Sequence, residues 1–382
     1  MANLTLPSVI VEEILAMLPI KSIHRFRQLS KSWSSLLVSS EFQKLRTNNS
    51  TPPETNLEKI LQCSAVNGGY VIESLGCLGD GEDPVRLQFP TDKFVWFWGS
   101  CNGLVCVTVP DFQSGVVEIV VWNPFTGIYR KLQDIDHDRR ICACGFGYDS
   151  VADDYKVFVI TKPVPDGAKV KIFSFLKKKK KKKVNVEIFS LRTGSWKVVE
   201  ITSPGSYVEP IAEKHEVGLF VNGALHWQVL IGGERKIIAF DLAKEKFYGV
   251  PLPAVEKELC DILRFKELGV AGDYLCLCFV SKSDNITIVG LMKEYCKSWV
   301  HFIGYNSLGY ARTYSCQDFV PQAGKDGGYV ILHFPGGQHV LKWDNLHEET
   351  DESGGFSLNI KSSEFRMTIA YTEALTSPYA SP

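Results

Sequence analysis

A spacing of about fifty residues between like segments constrains this chain more than any other feature of its sequence. One set of segments joins a β-branched or aromatic pair, a polar turn and an aromatic second strand: VVWNPFTGIYRKL, VEIFSLRTGSWKVVE, IIAFDLAKEKFYGVPL, IVGLMKEYCKSWVHF and HVLKWDNLHEET. Their turns begin at Asn123, Ser190, Asp241, Met292 and Asp344, separated by 67, 51, 51 and 52 residues. A second set carries another hairpin, in SCNGLVCV, YDSVADDYKVFVI, VNGALHWQV, AGDYLCLCFV and KDGGYVILHF. Its turn markers Gly103, Asp154, Gly223, Asp273 and Gly327 are 51, 69, 50 and 54 residues apart. The two registers share one period, and both place one oversized step in the same region.

Short runs of Val, Ile, Phe, Tyr and Trp broken by Asn, Asp, Gly and Pro read as many antiparallel strands. An isolated hairpin leaves its edges open, whereas radial repetition of four-stranded units protects them. A fifty-residue unit with two hairpins has the size of a propeller blade, and kelch-type blades run near that period. The expectation for residues 60–382 is an all-β propeller of five to six blades, the sixth built from residues 60 to 99 and closed by a strand around Phe365 to Tyr371. A β-sandwich with evenly spaced hairpins is the competing arrangement. The oversized step holds Lys177 to Lys183, whose mutual repulsion favours a solvated loop, so a rim insertion is expected at about 162–183. Such a run serves as an import tag or acidic-partner patch, or is an insertion that the fold tolerates at little cost.

The first 46 residues follow a different rule. Pro7 suits the start of a helix reaching about Leu18, and Pro19 opens a second from Ile20 to about Leu29. Trp33, Leu36 and Leu37 supply a third. On the first helix, Ile10, Ile14 and Met17 form one apolar stripe and Val11, Leu15 and Leu18 a neighbouring one, with Glu12, Glu13 and Ala16 opposite. The combined arc is roughly 160° wide, broader than the ~100° that a helix needs to cover its own core. A unit this small leans on a partner or on the remainder of its chain. Residues 47–59, polar and proline-bearing, read as a linker.

The segment LPSVIVEEILAMLPIKSIHRFRQLSKSWSSLLVSSEF resembles the F-box of plant F-box proteins. The likeness is carried by Leu6-Pro7, Ile14-Leu15, Leu18-Pro19, Lys21-Ser22, Arg25-Phe26-Arg27, Ser30-Lys31-Ser32-Trp33 and Phe42. It implies three short helices docking on a Skp-type adaptor through Leu6, Pro7, Ile10, Ile14, Leu15, Leu18, Pro19 and Trp33. Ser8 and Val9 stand where the family has acidic residues, which weakens the helix-dipole complement by roughly a few tenths of a kcal/mol. The rest is similar to the F-box-associated domain, including the S-locus F-box-like group. The matching pieces are Gly99 to Leu104, Trp122 to Gly127, Gly145 to Asp149, Asp154 to Val157, Asn222 to Trp227, Met292 to Tyr295 and Ala370 to Leu375, in that order.

Enzyme motifs are not found. Gly145-Phe146-Gly147 lacks the third glycine of a dinucleotide loop, and no GxxxxGK[ST], GxSxG or CxxC occurs. Cys142 and Cys144 with His137 make the best metal cluster, yet buried thiols explain them better. No cofactor is expected. Eleven scattered cysteines and an acidic first apolar stretch suit reduced thiols in cytoplasm or nucleus, without a signal peptide or membrane span. A formal charge of −1 gives no field toward nucleic acid or anionic lipid.

The resemblance implies a non-catalytic substrate receptor of a Skp-cullin-F-box ubiquitin ligase, meeting cullin and RING subunits through the adaptor and a protein target through the propeller. An adaptor-independent scaffold, whose helices cap its own propeller, is the alternative. A propeller enzyme would need clustered His, Tyr and Cys ligands. Trp122, Trp196, Trp227 and Trp299 are expected to pack between strands. Target contacts are sought in loops, at Trp96 and Trp98, at Arg139 and Arg140, and at Tyr310 and Arg312, because exposed aromatics and Arg anchor interfaces.

Overall fold

The computed structural model describes residues 7–18, 29–39, 58–75, 84–110, 117–133, 139–163, 184–199, 217–253, 263–271, 274–281, 287–304, 319–324, 327–334, 337–344, 367–374 and 376–379, with 22, 23, 26, 41, 42, 45, 135, 207, 208, 210 and 211. Helices α1 (Ser8–Ala16) and α2 (Lys31–Val38) precede a region made almost wholly of strands. Ser22, Ile23 and Phe26 are helical between them. The first strands are β1 (Glu58–Val66), β2 (Gly69–Leu75) and β3 (Val85–Leu87). The next sheet is β4 (Trp96–Cys101), β5 (Leu104–Pro110), β6 (Val117–Trp122) and β7 (Tyr129–Lys131). Then come β8 (Arg139–Asp149), β9 (Asp154–Pro163), β10 (Asn185–Ser190) and β11 (Ser195–Val199), followed by β12 (Val217–Val221), β13 (Ala224–Ile231), β14 (Glu234–Asp241) and β15 (Lys246–Val250). The remaining strands are β16 (Leu263–Ala271), β17 (Tyr274–Ser281), β18 (Thr287–Glu294), β19 (Ser298–Gly304), β20 (Phe319–Gly324), β21 (Gly327–Phe334), β22 (Gly337–Asp344) and β23 (Met367–Thr372).

Consecutive strands that pair do so antiparallel, and β8 and β12 alone join in parallel among the described strands. Most described turns fall where the two registers put them. Met292, expected to start a turn, instead lies within β18 opposite Trp299, and Asp273 is outside the described residues. Gly103, Asp154, Gly223 and Gly327 lie at the turns from first to second strand. Asn123, Ser190 and Asp241 lie at those from third to fourth. Asn102 and Asn222, each at φ 49°, precede Gly103 at 81° and Gly223 at 73°. Both central residues of these hairpins are thus left-handed, which is why Asn-Gly is the sequence found there. The last strand returns to the first: β23 pairs with β1 from Glu58↔Thr372 to Cys63↔Met367, giving the order β23-β1-β2-β3. The connection from β9 to β10 carries Lys177 to Lys183, which lie outside the described residues.

Second strands such as β5 and β13 are buried on both faces, so they read as largely apolar runs, broken by Thr108 in β5 and by His226 and Gln228 in β13. Fourth strands such as β7 and β11 are mostly open. Two compact units result, one of Met1–Gln133, Leu191–Gly194 and Arg366–Pro382, the other of Asp134–Ser190 and Ser195–Phe365. The first is centred on Leu61, Cys63, Val105, Val107, Trp122 and Tyr371. In the second, Phe158, Trp227, Phe240 and Phe247 form an aromatic knot with ring centroids 4.8 to 6.2 Å apart. There β8 meets β12 in a two-residue parallel bridge, Val217↔Cys144 and Gly218↔Gly145. A Cβ on Gly145 would lie 2.8 Å from Leu225, and one on Gly147 would strike the Phe220 ring. The Gly-Phe-Gly run is therefore clearance for packing. No helix among the described residues is long and apolar enough to cross a membrane.

His226 is fully buried in the second unit. Its Nδ1 faces the Leu219 carbonyl at 3.1 Å, which can only accept, so Nδ1 carries the proton. Nε2 then accepts from the Tyr295 hydroxyl at 2.6 Å, and Tyr248 donates to Tyr295 in turn. Burial holds the imidazole down to about 4, against the Leu219 and Ala224 backbone contacts that raise it. The folded protein thus binds fewer protons than the unfolded chain between pH 6.5 and 4, and stability falls as pH falls through that window. The loss should approach about 3 kcal/mol, and His226→Gln should flatten that part of a stability profile from urea unfolding. The same assay should separate two glycines. Gly103→Ala, at φ 81° with its Cβ forced onto Ala374, should cost about 2 kcal/mol or more. Gly223→Ala, at φ 73° with nothing within 4 Å, should cost about 1 kcal/mol.

Candidate partner-docking site

The N-terminal helices are short and are closed by local hydrogen bonds. Pro7 caps α1 in an extended conformation, and its carbonyl accepts from the backbone N–H of Ile10 at 3.1 Å and Val11 at 3.2 Å. No acidic residue occupies the first turn. Ser30 caps α2, its Oγ accepting from the Trp33 N–H at 3.2 Å. Ser39 ends it, donating to the Leu36 carbonyl at 2.7 Å and accepting from the Phe42 N–H at 3.2 Å. Leu15, Ala16, Ile23, Leu37 and Phe42 are buried together, with Val11, Leu18, Phe26, Trp33 and Leu45 around them. Phe26 and Trp33 stack at 5.7 Å.

This core takes only one of the two stripes of α1. Val11, Leu15 and Leu18 face it. Ile10, Ile14 and Met17 stay 42%, 43% and 67% exposed, and Val9 62%. Ala16, expected on the polar side, is buried because the core reaches further round the helix than the wheel implied. The helix is also shorter than expected, ending at Ala16.

Among the described residues, one side chain from the β region joins the helical core. Phe125, on the β6–β7 turn, packs against it. Asn123, fully buried, shapes that turn: its Oδ1 accepts from the N–H of Phe125 at 2.9 Å and Thr126 at 3.0 Å. Its Nδ2 donates to the carbonyls of Ala374 at 2.9 Å and Thr376 at 2.7 Å. The tail continues to Tyr379, whose hydroxyl donates to the Tyr129 carbonyl at 3.1 Å and whose ring lies 5.7 Å from the Arg130 guanidinium. Sequence reasoning gave Phe125 no role. Its only signal was membership of the Trp-Asn-Pro-Phe-Thr-Gly segment.

Residues 91–318 match the family model described as F-box associated beta propeller domain, and residues 4–45 match the F-box domain. The chain belongs to the F-box associated beta propeller family. An F-box/kelch-repeat protein of Arabidopsis thaliana is 27% identical over 364 residues, covering 89% of this chain and 88% of the relative. F-box protein CPR1 of Arabidopsis thaliana is 29% identical over 310 residues, covering 76% and 70%.

Within this F-box protein the residues carried over from the resemblance divide. Pro7, Ile10 and Ile14 are exposed, whereas Leu15 is buried and Leu18 and Trp33 are partly buried in the helical core. Leu6 and Pro19 lie outside the described residues. Trp96 is 46% exposed and meets Phe94 edge-on at 6.0 Å. Trp98 is buried, because a bulge between Phe97 and Gly99 turns two successive side chains inward, so it is no surface anchor. Arg139 and Arg140 open β8, and their side chains lie outside the description, as do Tyr310 and Arg312 entirely. Trp122 and Trp227 are core, Trp196 meets Phe189 at 5.2 Å, and Trp299 donates to the Pro251 carbonyl at 3.0 Å. Among the described residues no group of three His, Cys, Asp or Glu is arranged for a metal. Cys142 and Cys144 are buried, and His137 is outside the description.

Neighbouring residues of α1 should therefore differ sharply in what one substitution costs. Leu15→Asp places a carboxylate in the helical core and should cost more than about 3 kcal/mol, melting the helices. Ile14→Asp should cost about 0.5 kcal/mol or less. Amide exchange of the helical residues reads both.

Proposed function

We propose that this chain is the substrate-recognition subunit of a Skp-cullin-F-box ubiquitin ligase, with residues 1–46 docking on a Skp-type adaptor, 47–59 linking, and 60–382 binding the target protein. The observation that carries the reading is the exposed stripe Ile10, Ile14 and Met17 on a helix whose other apolar stripe is already inside. Three large aliphatic side chains on one helix face suit helix-in-groove recognition. Through the adaptor the chain meets cullin and RING subunits, and its own contribution is positional: it raises the concentration of target lysines near the charged conjugating enzyme. No residue of the chain enters the chemistry. Trp96, exposed at the start of β4, is the described residue best suited to a target contact.

The Phe125 contact favours a second reading, in which the helices cap the chain's own β region and need no adaptor. Titration with a purified Skp-type adaptor separates the two. Wild-type chain should bind, and Ile10→Glu with Ile14→Glu should weaken binding by about 100-fold or more while far-ultraviolet circular dichroism stays unchanged. A folded wild-type chain that leaves the adaptor untouched would establish the second reading instead.

A further inference from the structure

We infer that Phe125 is a positioning residue for ubiquitin transfer, fixing the helical unit on the β region so that an adaptor held on α1 sits at a defined angle. The inference rests on the adaptor-docking reading above. Of the described residues packed on the helical core, Phe125 alone comes from outside residues 11 to 45. The angle therefore depends on how firmly Phe125 is held.

It is held from three directions. The Asn123 carboxamide accepts the Phe125 and Thr126 N–H groups on one side and donates to Ala374 and Thr376 on the other. The turn closes on itself through Gly127 N–H to the Asn123 carbonyl at 2.9 Å and Asn123 N–H to the Ile128 carbonyl at 2.8 Å. Ala374 is seated where a side chain at Gly103 would lie, and Tyr379 ties the end of the tail to Tyr129 and Arg130. The tail follows directly from β23, itself locked to β1. A continuous line of contacts thus runs from the sheet, through the tail and the Asn123 turn, to the helices.

In transfer, a lysine ε-amine attacks the ubiquitin thioester on the conjugating enzyme, an isopeptide bond forms, and the enzyme's thiol leaves with the lysine proton. The rate follows how often the lysine and thioester meet, which a loose angle lowers without changing adaptor affinity.

The test uses the full chain with a Skp-type adaptor, cullin, RING subunit and charged conjugating enzyme, its own lysines as acceptors. Phe125→Ala should keep the adaptor Kd within about twofold, slow self-ubiquitination about fivefold and broaden the set of modified lysines. Phe125→Leu should restore most of the rate. In the free chain, Phe125→Ala should speed exchange of the Leu15 and Leu37 amides about tenfold and leave Val105 and Trp122 unchanged. A chain ending at Thr372, which removes the tail carbonyls, should move both readouts the same way. Unchanged transfer and unchanged exchange in Phe125→Ala overturn the inference, as does a loss of transfer that only parallels lost adaptor affinity. If wild-type chain does not bind the adaptor, the docking reading fails, and exchange alone decides whether Phe125 orients the helices.

Discussion

A helical segment of some forty residues has too little surface to stand alone, and the first unit of the structure is organised by that constraint. Among the described residues its interior amounts to Leu15, Ala16, Ile23, Leu37 and Phe42. Such a core can engage one face of α1 but not two. The second face is left in solvent, and the deficit is met on another side by Phe125 from the β6–β7 turn. The requirement passes down the chain. A turn that supports another unit must be stiff, and Asn123 stiffens it by using its carboxamide oxygen locally and its nitrogen on residues about 250 positions away.

The β region meets a different requirement, the protection of strand edges. Second strands β5 and β13 are covered on both faces and fourth strands β7 and β11 carry the exposure, so burial is graded across those described sheets. The close approach of β8 to β12 is possible because Gly145 and Gly147 yield their space to Leu225 and Phe220. Glycine in these strands serves neighbours rather than its own backbone. Burial keeps His226 neutral in the interior, and the Leu219 carbonyl and Tyr295 hydroxyl satisfy its two ring nitrogens there.

What the sequence revealed divides by range. The two registers were legible because turn chemistry is local: Asn-Gly declares a left-handed pair wherever it stands, and the spacing of such pairs survives without tertiary knowledge. The two stripes of α1 were legible as stripes. Which one the chain keeps for itself was not, since a helical wheel carries no information about the opposing surface. Trp98 was misjudged because a bulge, invisible in the alternation, turned it inward with Phe97. Phe125 was missed for a related reason. Its partner is a surface assembled from residues a hundred positions earlier, and no periodicity encodes such a contact.

The pairing of β1 with β23 also bears on the order in which the protein assembles. During synthesis β1 and β2 can pair as soon as both have emerged, because their hairpin is local. The other edge of β1 waits for Met367–Thr372, some three hundred residues later. Until then that edge is unpaired and Leu61 and Cys63 lack the cover of Tyr371. The tail that grips Asn123 is later still. The helices, which precede the strands in the sequence, thus gain the full support of their seat on the β region only once the tail that holds Asn123 has docked.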